Sequence, residues 1–135
     1  MRMNPYLHFG GDCAEAFAFY ERNLGARVAA MMRFRDGPAA DQVGPEMQDK
    51  IMHAELELAG GVLMGTDGEG CGQPVARVTG VHLVLNVAEP SEAERLFALL
   101  AEGGTVEMPI EETFWAKRFG TVVDRFGVPW MINTD

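Results

Sequence analysis

The feature that most constrains this chain is a pattern of short apolar strands and one helix that runs once and then starts again. In the first pass, Met3 to Phe9 is apolar and aromatic before Gly10-Gly11, which predicts a strand. Asp12 suits the N-cap of a helix, and Glu15 three residues on completes a capping-box-like start. Ala14, Phe17, Ala18, Tyr20 and Leu24 then give one apolar helical face, and Gly25 supplies the stop. Val28 to Phe34 predicts a strand closed by Arg35-Asp36-Gly37-Pro38. Residues 35–49 have no period and predict a long exposed connection, a length commoner in lids and disordered segments than in plain linkers. From Ile51 to Leu58 the sequence alternates, with Ile51, His53, Glu55 and Glu57 on one side and Met52, Ala54, Leu56 and Leu58 on the other. Ala59-Gly60-Gly61 turns this strand into its hairpin partner, Val62 to Thr66.

The stretch from Asp67 to Thr79, broken by glycine and proline, reads as a linker. After it, Val81 to Val87 predicts a strand, and Pro90-Ser91-Glu92 opens a helix running to about Glu102. Leu96, Phe97, Leu99 and Leu100 give that helix its core side, and Gly103-Gly104 cap it. Val106 to Ile110 predicts a strand stopped across Pro109. Arg118 to Asn133 predicts a hairpin turned at Asp124-Arg125-Phe126-Gly127. The repeat is faintly visible in the residues too: Glu15-Ala16 against Glu92-Ala93, and Gly61-Val62 with Thr66-Asp67 against Gly127-Val128 with Thr134-Asp135.

The expected fold is therefore α+β: two βαβββ modules forming a curved mixed sheet with helices on its convex side. Module 1 covers 1–67, the linker 68–79 and module 2 80–135, together one domain. One such unit alone exposes a sheet face and is marginal. Two modules side by side would leave a concave cup where a ligand is expected.

Composition removes several functions. A formal net charge of −9 and the lack of any Lys/Arg run argue against nucleic acid. The apolar stretches are far below the roughly 20 residues that span a bilayer, and Met1 to Phe9 is too short and too quickly polar for a signal peptide. Cys13 and Cys71 have no metal-ligand spacing, which fits a cytoplasmic protein with reduced thiols.

Particular residues carry a resemblance. Asn4-Pro5-Tyr6-Leu7, Cys13 to Phe19-Tyr20 with Leu24-Gly25, and Ile51-Met52-His53-Ala54 resemble the PhnB-like family of the vicinal-oxygen-chelate superfamily. So do Val106-Glu107-Met108-Pro109, Phe114-Trp115-Ala116 with Arg118-Phe119-Gly120, and Asp124-Arg125-Phe126-Gly127 with Trp130. The likeness spans Asn4 to Asn133. The two blocks around Trp115 and Asp124 are specific to that branch, whereas the Phe-Tyr and Leu-Gly pairs mark only the superfamily of glyoxalase I, fosfomycin- and bleomycin-resistance proteins and extradiol dioxygenases. A methyltransferase name often attached to the family finds no support here, since no Gly-rich nucleotide loop follows a strand.

The resemblance implies metal ligands on the first and last strands of each module, holding a divalent ion against vicinal oxygens. Counted from Phe19-Tyr20 and Leu24-Gly25, those positions fall on Pro5, near Met64, near Val81 and on Met131, with His82 one residue away on the opposite face. None of the four is a hard ligand, so the expectation is no metal and no other cofactor. A one-residue error would bring in His82 but no carboxylate at Met131.

Of the three histidines, His8 reads as a half-buried sheet residue and His82 as facing the helix layer. His53 is the better functional candidate, sharing a strand face with Glu55 and suited to acid or base work. In the loop after the Val106 strand, Phe114, Trp115 and Arg118 read either as a pocket wall, with Arg118 forking onto a carboxylate or phosphate, or as an edge plug and dimer contact. Trp130 reads as core. Cys13, in the first turn of a helix, is a reactive thiol or a small buried cap residue, and Asp12 opposes the former. The methionines, among them Met31, Met32, Met47, Met52, Met64, Met108 and Met131, read as adaptable core filler, or as a lining for a planar apolar ligand where they face the cup.

Two functions remain at this point. One is a metal-independent small-molecule-binding protein with Phe114, Trp115, Arg118, Met64 and Met131 as ligand contacts. The other is a lyase, isomerase or related enzyme using His53 and Glu55 on a small organic substrate. The superfamily's habit of building cups across a dimer implies a homodimer.

Overall fold

The computed structural model describes residues 1–68 and 78–135, and the chain divides into two compact units, Met1–Val75 and Ala76–Asp135. The linker expected over 68–79 lies largely outside the described residues, and Cys71 wholly so. The first unit runs β1 (Tyr6–His8), α1 (Cys13–Asn23), β2 (Arg27–Arg33), β3 (Ile51–Leu58) and β4 (Gly61–Thr66). The second runs β5 (Leu83–Asn86), α2 (Pro90–Ala101), β6 (Thr105–Glu111), β7 (Arg118–Val123) and β8 (Pro129–Thr134). Each is a βαβββ module of the α+β class, with a four-stranded mixed sheet ordered β1-β4-β3-β2 in one and β5-β8-β7-β6 in the other. In both, the first strand lies parallel to the last, and the other pairings are antiparallel.

One face of each sheet is sealed by its helix. Cys13, Ala16, Phe17 and Tyr20 of α1 and Ala54, Leu56 and Leu63 of the sheet are all buried. Gly65 makes the close approach feasible: a Cβ there would stand 2.9 Å from Phe17 and 3.1 Å from Cys13. In the second unit Ala93, Leu96, Phe97 and Leu100 of α2 are buried, as are Val122, Trp130 and Ile132 of the sheet. Trp130 is core, and its indole N–H donates to the buried Asp124 carboxylate at 2.9 Å.

Several local expectations need correction. β1 is shorter than Met3 to Phe9, because pairing with β4 begins only at Tyr6. The side chain of Asp12 does not cap α1. Asp67, buried at the end of β4, takes that work by accepting from the N–H groups of Gly11 (3.0 Å) and Cys13 (3.2 Å) with one oxygen and Ile51 (2.9 Å) with the other. A carboxylate far away in sequence satisfies orphan helix donors as well as a local one does. Pro109 does not stop β6, which runs on to Glu111. As an edge strand it tolerates a residue without an N–H, and the register shifts on either side of Met108 absorb it.

The 35–49 connection is internally tied. It forms 3-10 turns at Phe34–Asp36, Ala40–Gln42 and Pro45–Met47, with Phe34 and Met47 buried. Gln48 Nε2 donates to the carbonyls of Ala40 (2.9 Å) and Val43 (3.2 Å), and Arg35 pairs with Asp49. The β3–β4 hairpin turns through Ala59 and Gly60, both at positive φ (53° and 79°), as a tight two-residue turn demands.

Candidate functional site

Directly paired residues of adjacent strands share a face. In the first unit Tyr6 pairs with Met64 and Met64 with Glu55, while Met32 pairs with His53. These residues form the face turned away from α1. Pro5 precedes β1 and only lends its carbonyl to the Met64 N–H (3.0 Å), leaving Tyr6 beside Met64.

On this face three side chains join in a chain. Tyr6 Oη lies 3.2 Å from His53 Nδ1, and His53 Nε2 lies 3.3 Å from Glu55 Oε1. The two rings lie 5.7 Å apart, tilted by 32°, and His8 lies 5.4 Å from Tyr6 on its other side. His8 is exposed on the open face rather than half-buried in the sheet. Tyr6 bridges over β4 to reach His53, since the sheet order places β4 between β1 and β3. All three members are within reach of solvent: Tyr6 is 43% exposed, and the side chains of His53 and Glu55 are 33% and 37% exposed. Beside them stand the half-buried Met64 and the exposed Met32. The next carboxylate along β3, Glu57, is held by Arg27 at 2.7 Å.

The open face of the second unit is more apolar. Val84, Met131, Thr121 and Met108 form its paired row. Alternation along β5 puts Leu83 and Leu85 on the helix side. His82, like Val81, precedes that strand. Its Nε2 lies 3.8 Å from Glu107 Oε1. The methionines are mostly not core filler: Met47 is buried, but Met31, Met32 and Met108 are 40–48% exposed and Met64 and Met131 half-buried. The flexible thioether is spent on surface facing solvent.

The loop residues separate. Phe114 and Trp115 meet edge to face at 4.6 Å, and Trp115 meets Phe119 at 5.3 Å, while Phe114 stays 97% exposed. Arg118 pairs across the sheet with the buried Thr134 and is turned toward α2, where it binds Glu94 at 2.7 Å. His53 and Glu55 are thus together in the first unit. In the second, Phe114 and Trp115 form a cluster, Met131 sits mid-sheet, and Arg118 is tied to the helix. Tyr6 was not singled out from the sequence. The usable signal was its place in the first strand, two residues before His8. Cys13 is fully buried, and its thiol is pushed up to about 12, first by burial and then by Asp67 and Asp12.

Among the described residues no group of three or more His, Cys, Asp or Glu side chains is placed to hold a metal ion. On the open faces, the last-strand positions expected to carry a ligand hold the thioethers of Met64 and Met131, which are poor partners for a hard divalent ion. Nor, among the described residues, is any helix long and apolar enough to cross a membrane.

Two βαβββ units, each with a helix on one sheet face and an open opposite face, define the architecture of the vicinal-oxygen-chelate proteins. The model of the Glyoxalase/Bleomycin resistance protein/Dioxygenase superfamily matches residues 2–132, and the chain belongs to that superfamily. It is 41% identical to Protein YjdN of Escherichia coli (strain K12) over 98% of this chain and 95% of that one. Protein PA1353 from Pseudomonas aeruginosa is 44% identical, with a TM-score of 0.88 over 100% of this chain and 98% of the other. The PhnB protein from Bacillus cereus shares the fold at a TM-score of 0.84 and 24% identity, with both chains fully covered.

Proposed function

We propose that the protein binds a small organic molecule on the open sheet face of its first unit, without a resident metal. The observation that carries this reading is the Tyr6–His53–Glu55 chain, a run of polar groups set among Met32 and Met64 on a face its own helix leaves uncovered. A mostly apolar surface with a few convergent polar groups is what a small-ligand site requires. The −9 net charge and the carboxylate of Glu55 favour a neutral or cationic ligand over a polyanion. Methionines at Met64 and Met131 in place of carboxylate or imidazole support metal independence.

The second reading is an enzyme, a lyase or isomerase acting on a small substrate, and the same chain favours it. A carboxylate, an imidazole and a phenol in series form a proton path. A homodimer in the cytoplasm completes the proposal. The superfamily resemblance supports the dimer, and the free thiol of Cys13 fits a reducing compartment.

The test is a fragment screen read by amide and methionine-methyl NMR. Binding is expected to shift Tyr6, His53, Glu55 and Met64, and a hit set that leaves these four unmoved would sink the reading. Calorimetric titration with nickel, zinc and manganese is expected to show no stoichiometric binding. Tight binding lost in His53→Ala would establish a metalloprotein instead. Sedimentation equilibrium is expected to give twice the chain mass.

A further inference from the structure

We infer that Tyr6, rather than His53, is the group that exchanges a proton or hydrogen bond with the ligand, and that the ligand presents an N–H or O–H donor to its phenol oxygen. This deepens the binding reading above and rests on it for the location of the ligand.

The argument is one of hydrogen-bond inventory. A carboxylate has lone pairs and no proton, so at 3.3 Å the His53 Nε2 must be the donor to Glu55. In neutral imidazole that leaves Nδ1 bare, and a bare nitrogen can only accept. The Tyr6 hydroxyl at 3.2 Å therefore donates to it. Both ring nitrogens of His53 are then engaged, and neither is left for a substrate. The phenol has committed its proton inward and keeps its oxygen lone pairs outward, on a side chain 43% exposed. A group in that state accepts from a ligand donor. With His53 Nδ1 taking its proton, it also acts as a base or nucleophile, the logic of a hydroxyl–imidazole–carboxylate series with a phenol in the first place. His53 and Glu55 are positioning residues in this scheme.

Two measurements test it without any ligand from the screen. The first is the histidine tautomer by long-range proton–nitrogen NMR at about pH 8.5, where an ordinary imidazole is neutral. The wild-type protein is expected to show a protonated Nε2 and a pyridine-like Nδ1 at His53, with that preference lost in Glu55→Ala. The second uses N-acetylimidazole as an acyl probe. Tyr6 Oη attacks the acetyl carbon while its proton passes to His53 Nδ1. The acyl C–N bond breaks, imidazole departs with a proton, and Tyr6 keeps the acetyl group. The chain has two tyrosines, and the other, Tyr20, is fully buried, so peptide mass mapping reads Tyr6 cleanly.

Acylation of Tyr6 is expected to slow by about tenfold or more in His53→Ala and His53→Gln, a fraction of what a positioned base can contribute. An unchanged rate in either folded variant, or an Nδ1–H tautomer in the wild type, would overturn the inference. Failure of the binding reading looks different: the tautomer and acylation results stand while fragments leave Tyr6 unshifted.

Discussion

Two buried residues show how much of the first unit's chemistry is structural. Cys13 carries a thiol held at about 12 against an ordinary 9.0, with burial the leading cause. Below pH 9 the thiol is protonated in folded and unfolded chains alike, and it adds no slope. As pH rises from 9.0 toward about 12 the unfolded chain loses a proton that the folded chain keeps. Stability then falls, by roughly 1.4 kcal/mol per pH unit from this group. Urea titrations at stepped pH are expected to show that decline, and Cys13→Ala to flatten it. Asp67 is the opposite kind of residue, a buried carboxylate with three backbone donors. Asp67→Asn sets an amide N–H₂ against one of those donors, and chemical denaturation is expected to show a loss of about 2–3 kcal/mol. A loss within 0.5 kcal/mol of zero would mean water replaces the carboxylate there.

At the scale of elements, the turns and close approaches make sharper predictions than the strands do. Ala59 sits at φ 53° where the hairpin wants glycine or asparagine. Ala59→Gly is expected to raise stability by about 0.5–1 kcal/mol, and a drop would show that the methyl group makes a contact worth more than the strain. Gly104 is the reverse case, since a Cβ there would run into the carbonyl of Val123. Gly104→Ala is expected to cost about 1–3 kcal/mol in thermal unfolding, because backbone cannot swing aside as a side chain does. Element order, both helices and both hairpins were legible in the sequence because period and turn chemistry are local. The capping by Asp67 was not, for the partner lies 54 residues from Cys13. Pro109 misled for a related reason: its cost depends on whether the strand is at an edge, which only the sheet order tells. The candidate site was half legible. Alternation put His53 and Glu55 on one face, but Tyr6 joins them across an intervening strand, which no local pattern announces.

At the scale of the whole molecule, each unit's four strands differ in protection. β4 and β3, and likewise β8 and β7, are flanked on both sides, whereas β2 and β6 are edges with largely exposed residues. Native-state hydrogen exchange is expected to rank amides of the inner strands slowest, with outward-facing amides of β2 and β6 exchanging much faster. Equal protection of β2 or β6 would mean that another chain adds to that edge, which bears directly on the proposed dimer.

The parallel pairing of first and last strands also dictates an order of events during synthesis. Within each unit the strand made last, β4 or β8, is the one that lies between the first strand and the rest. A nascent chain leaving the ribosome therefore holds β1 without a strand to pair with until Thr66 has emerged, and Asp67 follows as the clasp. From that moment the first unit has all its partners and can close while the second is still being translated. In the second unit β8 plays the same part, because β5 pairs, among the described residues, with β8 alone.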